Sequence, residues 1–135
     1  MDTQVVGKSI NKIDGIYHAT GVTEFTDDFF MFGMLCGKIL RSPHSHALIK
    51  EIEVTEAKNL PGVKAVLTWK DMPRNIHATA GQGYPEPSPY DTFVLDKKVR
   101  YVGDMVAAVA AESPEIAEKA LSLIKVDYEI LPSVF

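Results

Sequence analysis

Met105-Val-Ala-Ala-Val-Ala-Ala-Glu-Ser-Pro-Glu-Ile-Ala-Glu-Lys-Ala-Leu-Ser-Leu-Ile-Lys-Val-Asp-Tyr-Glu-Ile130 is the stretch that decides the fold. Its first seven residues are apolar on both faces, as a central strand covered on two sides must be. Their small side chains also invite close approach by a helix. Ser113 then supplies an N-cap oxygen, and Pro114 sits at the first helical position, where its missing donor is harmless. Glu115 places a negative charge in the first turn, where the helix dipole favours it. Ile116, Ala117, Ala120, Leu121 and Ile124 recur at helical spacing on one stripe; Glu115, Glu118, Lys119 and Ser122 form the wet face. Lys125 to Ile130 alternates as a strand, and Pro132 closes it. The unit is strand, capped helix, strand. Were its strands parallel neighbours in one sheet, the crossover would be right-handed.

Upstream, Gly33 to Leu40 reads as a strand ended by Ser42-Pro43, and His46 to Val54 as a second. The alternation in the second is clean only at its end, where Ile52 and Val54 oppose Glu51 and Glu53. Thr55 to Leu60 is a helix of one or two turns, with Thr55 as its cap, stopped by Pro61-Gly62. Val63 to Trp69 is a third strand, with Val63, Ala65 and Leu67 on one face. Val99 to Val102 is another, broken from Met105 by Gly103. Residues 71–91 hold Pro73, Pro85, Pro87 and Pro89 and no apolar period. A loop of that length is usually functional or mobile, and no structure is assigned to it. Asp14-Gly15 and Thr20-Gly21 punctuate the start as turns. Residues 1–12 form a flexible lead-in to a single domain over 13–135.

The 135 residues suit one domain with a core of its own. Hydrophobic residues are 46% and charged residues 24%, an ordinary globular balance. With 14 basic against 18 acidic side chains, nothing favours tracking a phosphate backbone, so nucleic acid is not an expected partner. No apolar run reaches the roughly 18 residues of a membrane span. The N-terminus lacks the charged start and apolar core of a signal peptide. The lone Cys36 has no internal partner, which points to a reducing, cytoplasmic compartment.

Few residues look equipped for chemistry. His44 and His46, two apart in extended backbone, point to one face and could share a metal. A site needs further ligands, however, and neither Cys36 nor His77 can be placed beside them. The plainer reading is a polar turn whose imidazoles bond to backbone. Asp27 and Asp28 read as a solvated turn rather than an acid–base pair, and Glu51 and Glu53 as an exposed patch. Cys36, in an apolar strand, reads as a buried, inert thiol. Trp69, Tyr84 and Tyr90 read as anchors of the long loop. No phosphate loop, nucleotide fingerprint or zinc spacing is present. No catalytic, cofactor-binding or metal-ligating residue is therefore assigned.

Arg41-Ser-Pro-His-Ser-His-Ala47 resembles the SPHAHA signature of the xanthine dehydrogenase and aldehyde oxidase family. Other pieces follow in that family's order. Thr20-Gly21 through Phe25-Thr-Asp-Asp28 resembles TG-x-x-x-Y-x-DD, with Phe25 in place of Tyr. Leu60-Pro-Gly-Val63 and Ala65-Val-Leu-Thr68 resemble LPGV-x-AVLT. Val99-Arg-Tyr-Val-Gly103 and Val106-Ala-Ala-Val109 resemble VRYVGQPVAAVVAE. Val126-Asp-Tyr-Glu-Ile-Leu-Pro132 resembles VDYEELP. Many members have Gly-Gln-Pro where this chain has Gly103-Asp104-Met105, which raises the question of what Asp104 faces.

The resemblance implies an α+β (mixed α/β) fold, the a/b hammerhead, with short strands, two helices and the C-terminal strand–helix–strand unit. It implies a part of an enzyme: the non-catalytic N-terminal domain of the large molybdopterin-binding subunit of a molybdenum hydroxylase. Such enzymes hydroxylate purines, aldehydes or N-heterocycles, with iron–sulfur clusters and flavin in partner domains or subunits. No cofactor is expected in this segment itself. The implied partners are the downstream molybdopterin-binding domains and the iron–sulfur and FAD subunits, with self-association expected of the isolated domain. The alternatives are a free-standing interaction module without redox chemistry and a metal-binding protein centred on His44 and His46.

Overall fold

The computed structural model describes residues 3–78 and 89–134, which form two compact units, Met1–Met34 and Leu35–Phe135. The first unit holds a short helix, α1 (Gly15–Thr20), and a 3-10 turn (Thr26–Asp28). The two dipeptides read as turns thus bracket a helix. Gly21, at φ 71°, takes the left-handed conformation that ends it. No described residue of this unit is buried, although Phe29, Phe30, Met31 and Phe32 follow one another there.

Among its described residues the second unit contains six strands and two helices: β1 (Cys36–Arg41), β2 (Ala47–Glu53), α2 (Thr55–Lys58), β3 (Val63–Thr68), β4 (Lys98–Val99), β5 (Met105–Ala111), α3 (Pro114–Leu123) and β6 (Lys125–Ile130). They make two three-stranded antiparallel sheets, ordered β1-β5-β3 and β4-β2-β6. The apolar run is the central strand of its sheet, as its two-faced pattern requires. The strands flanking α3, however, lie in different sheets, so no parallel crossover exists. Both sheets draw their partners from distant sequence, which the local pattern does not encode.

Two bulges explain where the strand readings drift. In β2 the register slips between Ile49 and Glu51. An extra residue reverses the alternation. Ala47, Ile49 and Ile52 are therefore all buried, while Lys50, Glu51 and Glu53 face out. In β3 the slip falls between Val63 and Ala65. The inward residues become Val66 and Thr68, and Leu67 points outward, contrary to the uninterrupted pattern.

The core joins β2, β3 and β5 to the two helices through Ile49, Ile52, Ala57, Val66, Val106, Val109, Ala117, Ala120 and Ile124. Ala107 and Ala111 of β5 and Ala117 and Ala120 of α3 are fully buried, and their missing bulk lets helix and strand approach closely. Full burial of Ile49 contributes about 2–3 kcal/mol. The Ser113 hydroxyl accepts the Ile116 N–H at 3.3 Å, capping α3 as the sequence requires. At the start of α2 the expected cap is absent: Thr55 is the first helical residue, no side chain caps the helix, and the Thr55 N–H donates to the Glu53 carboxylate at 2.7 Å. Gly62 is fixed chiefly by its backbone conformation. Its φ is +88°, and a Cβ there would stand 2.7 Å from Ile116 Cδ1.

Candidate functional site

One end of the second unit gathers the polar residues that the sequence left unassigned. Ser42, buried after β1, donates its N–H to the Asp104 carbonyl at 2.9 Å and accepts the Gly103 N–H at 2.8 Å on its own carbonyl. Arg41 adds a bond from Nη1 to the Gly103 carbonyl at 2.8 Å. The Asp104 carboxylate turns back into its own loop, accepting the Arg100 N–H and the Met105 N–H, each at 2.9 Å. It therefore holds the Tyr101–Gly103 turn closed. A neutral Gln offers one carbonyl oxygen for such a task, where the carboxylate offers two.

Asp96 is the centre of a second cluster. Its side chain is 10% exposed and lies between two guanidinium groups, Arg74 Nη1 at 2.7 Å and Arg100 Nη1 at 2.8 Å. The Lys97 N–H donates to the same carboxylate at 2.8 Å. Burial pushes the Asp96 carboxyl up, but the hydrogen bonds from Arg74, Arg100 and Lys97 outweigh it and hold the group below its ordinary value. Arg74 also stacks over the Phe93 ring, its guanidinium carbon 3.7 Å from the centroid. The cluster was not visible in the sequence. Asp96 and Arg100 are four apart, but Arg74 is 22 residues from Asp96, across the long loop.

Arg100 and the Tyr101–Val102 turn also line a solvent-open cleft of about 550 Å³. Ser45 and Ser133 meet across it, hydroxyl to hydroxyl at 2.7 Å. His46, Lys98 and Arg100 line its basic side. Tyr101, Val102 and Val134 form an apolar lip.

The histidine pair is divided between tasks. His46 binds the Pro132 carbonyl at 2.5 Å through Nδ1. Since a carbonyl only accepts, that nitrogen carries a proton. His44 meets Tyr128 edge to face, with centroids 4.8 Å apart. Burial pushes the Tyr128 hydroxyl up from its ordinary value. No three His, Cys, Asp or Glu side chains converge as a metal site among the described residues. The backbone of His77, in the span 71–91 left without structure, pairs with that of Thr92 just beyond it in a small bridge. Cys36 is half-buried rather than buried, because β1 is an edge strand. Asp28 closes the 3-10 turn, taking the Phe25 N–H at 2.8 Å. Glu51 and Glu53 are exposed. Trp69 lies beside Lys70 and Lys97, whose ammonium groups are 5.8 and 5.7 Å from its ring centre. Tyr90 is exposed, and Tyr84 lies outside the described residues.

Comparison with known proteins gives these features a frame. Residues 20–132 match the family described as "Aldehyde oxidase and xanthine dehydrogenase, a/b hammerhead domain". The chain is 44% identical over 133 residues to a probable hypoxanthine oxidase of Escherichia coli O157:H7, covering 98% of this chain and 14% of that protein. It is 38% identical over 127 residues to the xanthine dehydrogenase molybdenum-binding subunit of the same organism, covering 91% of this chain and 17% of the relative. Among solved structures, quinoline 2-oxidoreductase from Pseudomonas putida 86 superposes with a TM-score of 0.80 at 33% identity, over 97% of this chain and 17% of that one. The chain thus spans about one-sixth of the length of such relatives. Its motifs, its mixed two-sheet architecture and this match agree, and the chain belongs to the aldehyde oxidase and xanthine dehydrogenase a/b hammerhead domain family.

Proposed function

We propose that this chain is the hammerhead domain of the large subunit of a molybdenum-dependent hydroxylase. In that role it is a structural element of an oxidoreductase of the xanthine dehydrogenase and aldehyde oxidase type. It packs on the cofactor-binding domains, helps wall the substrate channel and carries no chemistry by itself. The observation that supports this reading is coverage: the match runs through nearly the whole chain but only 14–17% of the relatives. The parent acts on a purine, an aldehyde or an N-heterocycle. Its electrons leave through iron–sulfur clusters and flavin in partner domains or subunits. The lone Cys36 suits a cytoplasmic setting. No helix among the described residues is long and apolar enough to cross a membrane.

We assign no residue of this chain to a molybdenum centre. His44 and His46 are committed to Tyr128 and to the Pro132 carbonyl, and no third ligand joins them among the described residues. No oxidative step is therefore assigned to this chain. What its residues do is hold loops. Asp104 fixes the turn at 101–103, and Asp96 fastens Arg74 to Arg100, the residue that follows β4.

The test is the reading frame that carries the chain. It is expected to continue past Phe135 into a long cofactor-binding region. A stop codon there, with no adjacent frame encoding such a region, would leave the free-standing interaction module as the better reading.

A further inference from the structure

The cleft beside β4 is basic in a chain whose net charge is −4. Its lining includes His46, Lys98 and Arg100 but neither Asp nor Glu. Lys98 Nζ makes no hydrogen bond or ion pair among the described residues. Arg100 is held in place by Asp96 and by the Lys98 carbonyl, and both bonds use Nη1. A guanidinium has five N–H donors in a fixed fork, so one edge is anchored while another is left to a ligand. The Ser45 and Ser133 hydroxyls add two more donor–acceptor groups, already oriented by their mutual bond. Tyr101 and Val102, 55% and 65% exposed, stand at the rim on the turn that Asp104 braces. Convergent donors with an apolar lip are the makings of a site for an anion on an organic body.

We propose that this cleft binds an oxyanion group, phosphate or carboxylate, through Lys98 and Arg100, with the organic part of the ligand lying on Tyr101 and Val102. The two serine hydroxyls complete the polar shell. Because the cleft is open to water, the interaction is weak and falls with ionic strength.

The proposal is tested by titrating the 135-residue chain, by amide-resolved NMR, with inorganic phosphate and separately with benzoate, using chloride as the ionic-strength control. Saturable shifts are expected at Ser45, His46, Arg100, Tyr101 and Ser133. Lys98→Gln is expected to weaken binding about tenfold, the loss of one charge-assisted hydrogen bond. Arg100→Gln is a second variant, with its fold checked by unshifted amides in α3, because Arg100 also serves Asp96. Tighter binding of phosphate identifies a phosphate-bearing ligand; tighter binding of benzoate identifies a carboxylate on an aromatic body. Shifts that rise linearly, that chloride reproduces, or that survive Lys98→Gln unchanged overturn the proposal.

Discussion

Asp96 shows how one residue can decide a region. Its carboxyl sits below its ordinary value of 3.8, because two arginines and a backbone N–H overcome the effect of burial. A depressed folded value means that the contribution is complete above the ordinary one and is lost as pH falls through the folded one. The chain is therefore expected to lose stability below about pH 4 more steeply than Asp96→Asn, as followed by thermal melts across that window. At neutral pH, Asp96→Asn is expected to destabilise by about 2 kcal/mol, less than a fully buried pair would lose, because Arg74 and Arg100 are half exposed. Gly62 is equally decisive for a steric reason. Gly62→Ala forces an L-residue to φ +88° and drives a methyl into Ile116. A loss of about 2 kcal/mol in urea unfolding is expected; a neutral result would mean that the turn relaxes freely.

At the scale of elements, the chain divides into what local pattern encodes and what it does not. The helix α3 was legible because each of its signals lies within a few residues: Ser113, Pro114, the acidic first turn and the apolar stripe. Ser113→Ala removes the bond to the Ile116 N–H and is expected to reduce stability by about 1 kcal/mol, with early helix amides exchanging faster. The strands β5 and β6 were also legible, with the bounds the pattern gave. The inward faces of β2 and β3 were not. A period of two assumes an unbroken register, and each of these strands carries a slip. Sheet membership was out of reach for a related reason, since partners are chosen by distant segments. Of the polar cleft, the sequence showed the histidines and the Val99–Gly103 motif. It did not show that Arg74, Asp96 and Arg100 meet, because no spacing rule joins residues across a long loop.

For the whole molecule, the contrast between the two units governs behaviour in isolation. The second has a continuous core, whereas the first, among its described residues, buries none while exposing Phe29, Phe30, Met31 and Phe32. Apolar surface of that density commonly marks an interface. The purified chain is expected to bind an apolar-sensing dye, to self-associate weakly at high concentration, and to show no hydroxylase turnover with purine, aldehyde or N-heterocycle substrates. Turnover by the purified chain would refute the structural role. A strictly monomeric species that leaves the dye dark would refute the interface.

The place of β5 at the middle of its sheet also sets a timetable for synthesis. Among the described residues both β1 and β3 pair only with β5, and β2 takes its long partner from β6. A ribosome that has made the first hundred residues has therefore produced both edge strands of one sheet without their centre, and the centre of the other with only the short β4 beside it. Neither sheet can close until Ala111 and Ile130 have emerged, and domains rich in such distant pairings fold slowly, in milliseconds to seconds. A nascent chain arrested at Asp104 is expected to be cut by protease throughout β1–β3, and one released beyond Ile130 to resist. During that interval the exposed edges are the chain's point of greatest danger from its neighbours on the same message.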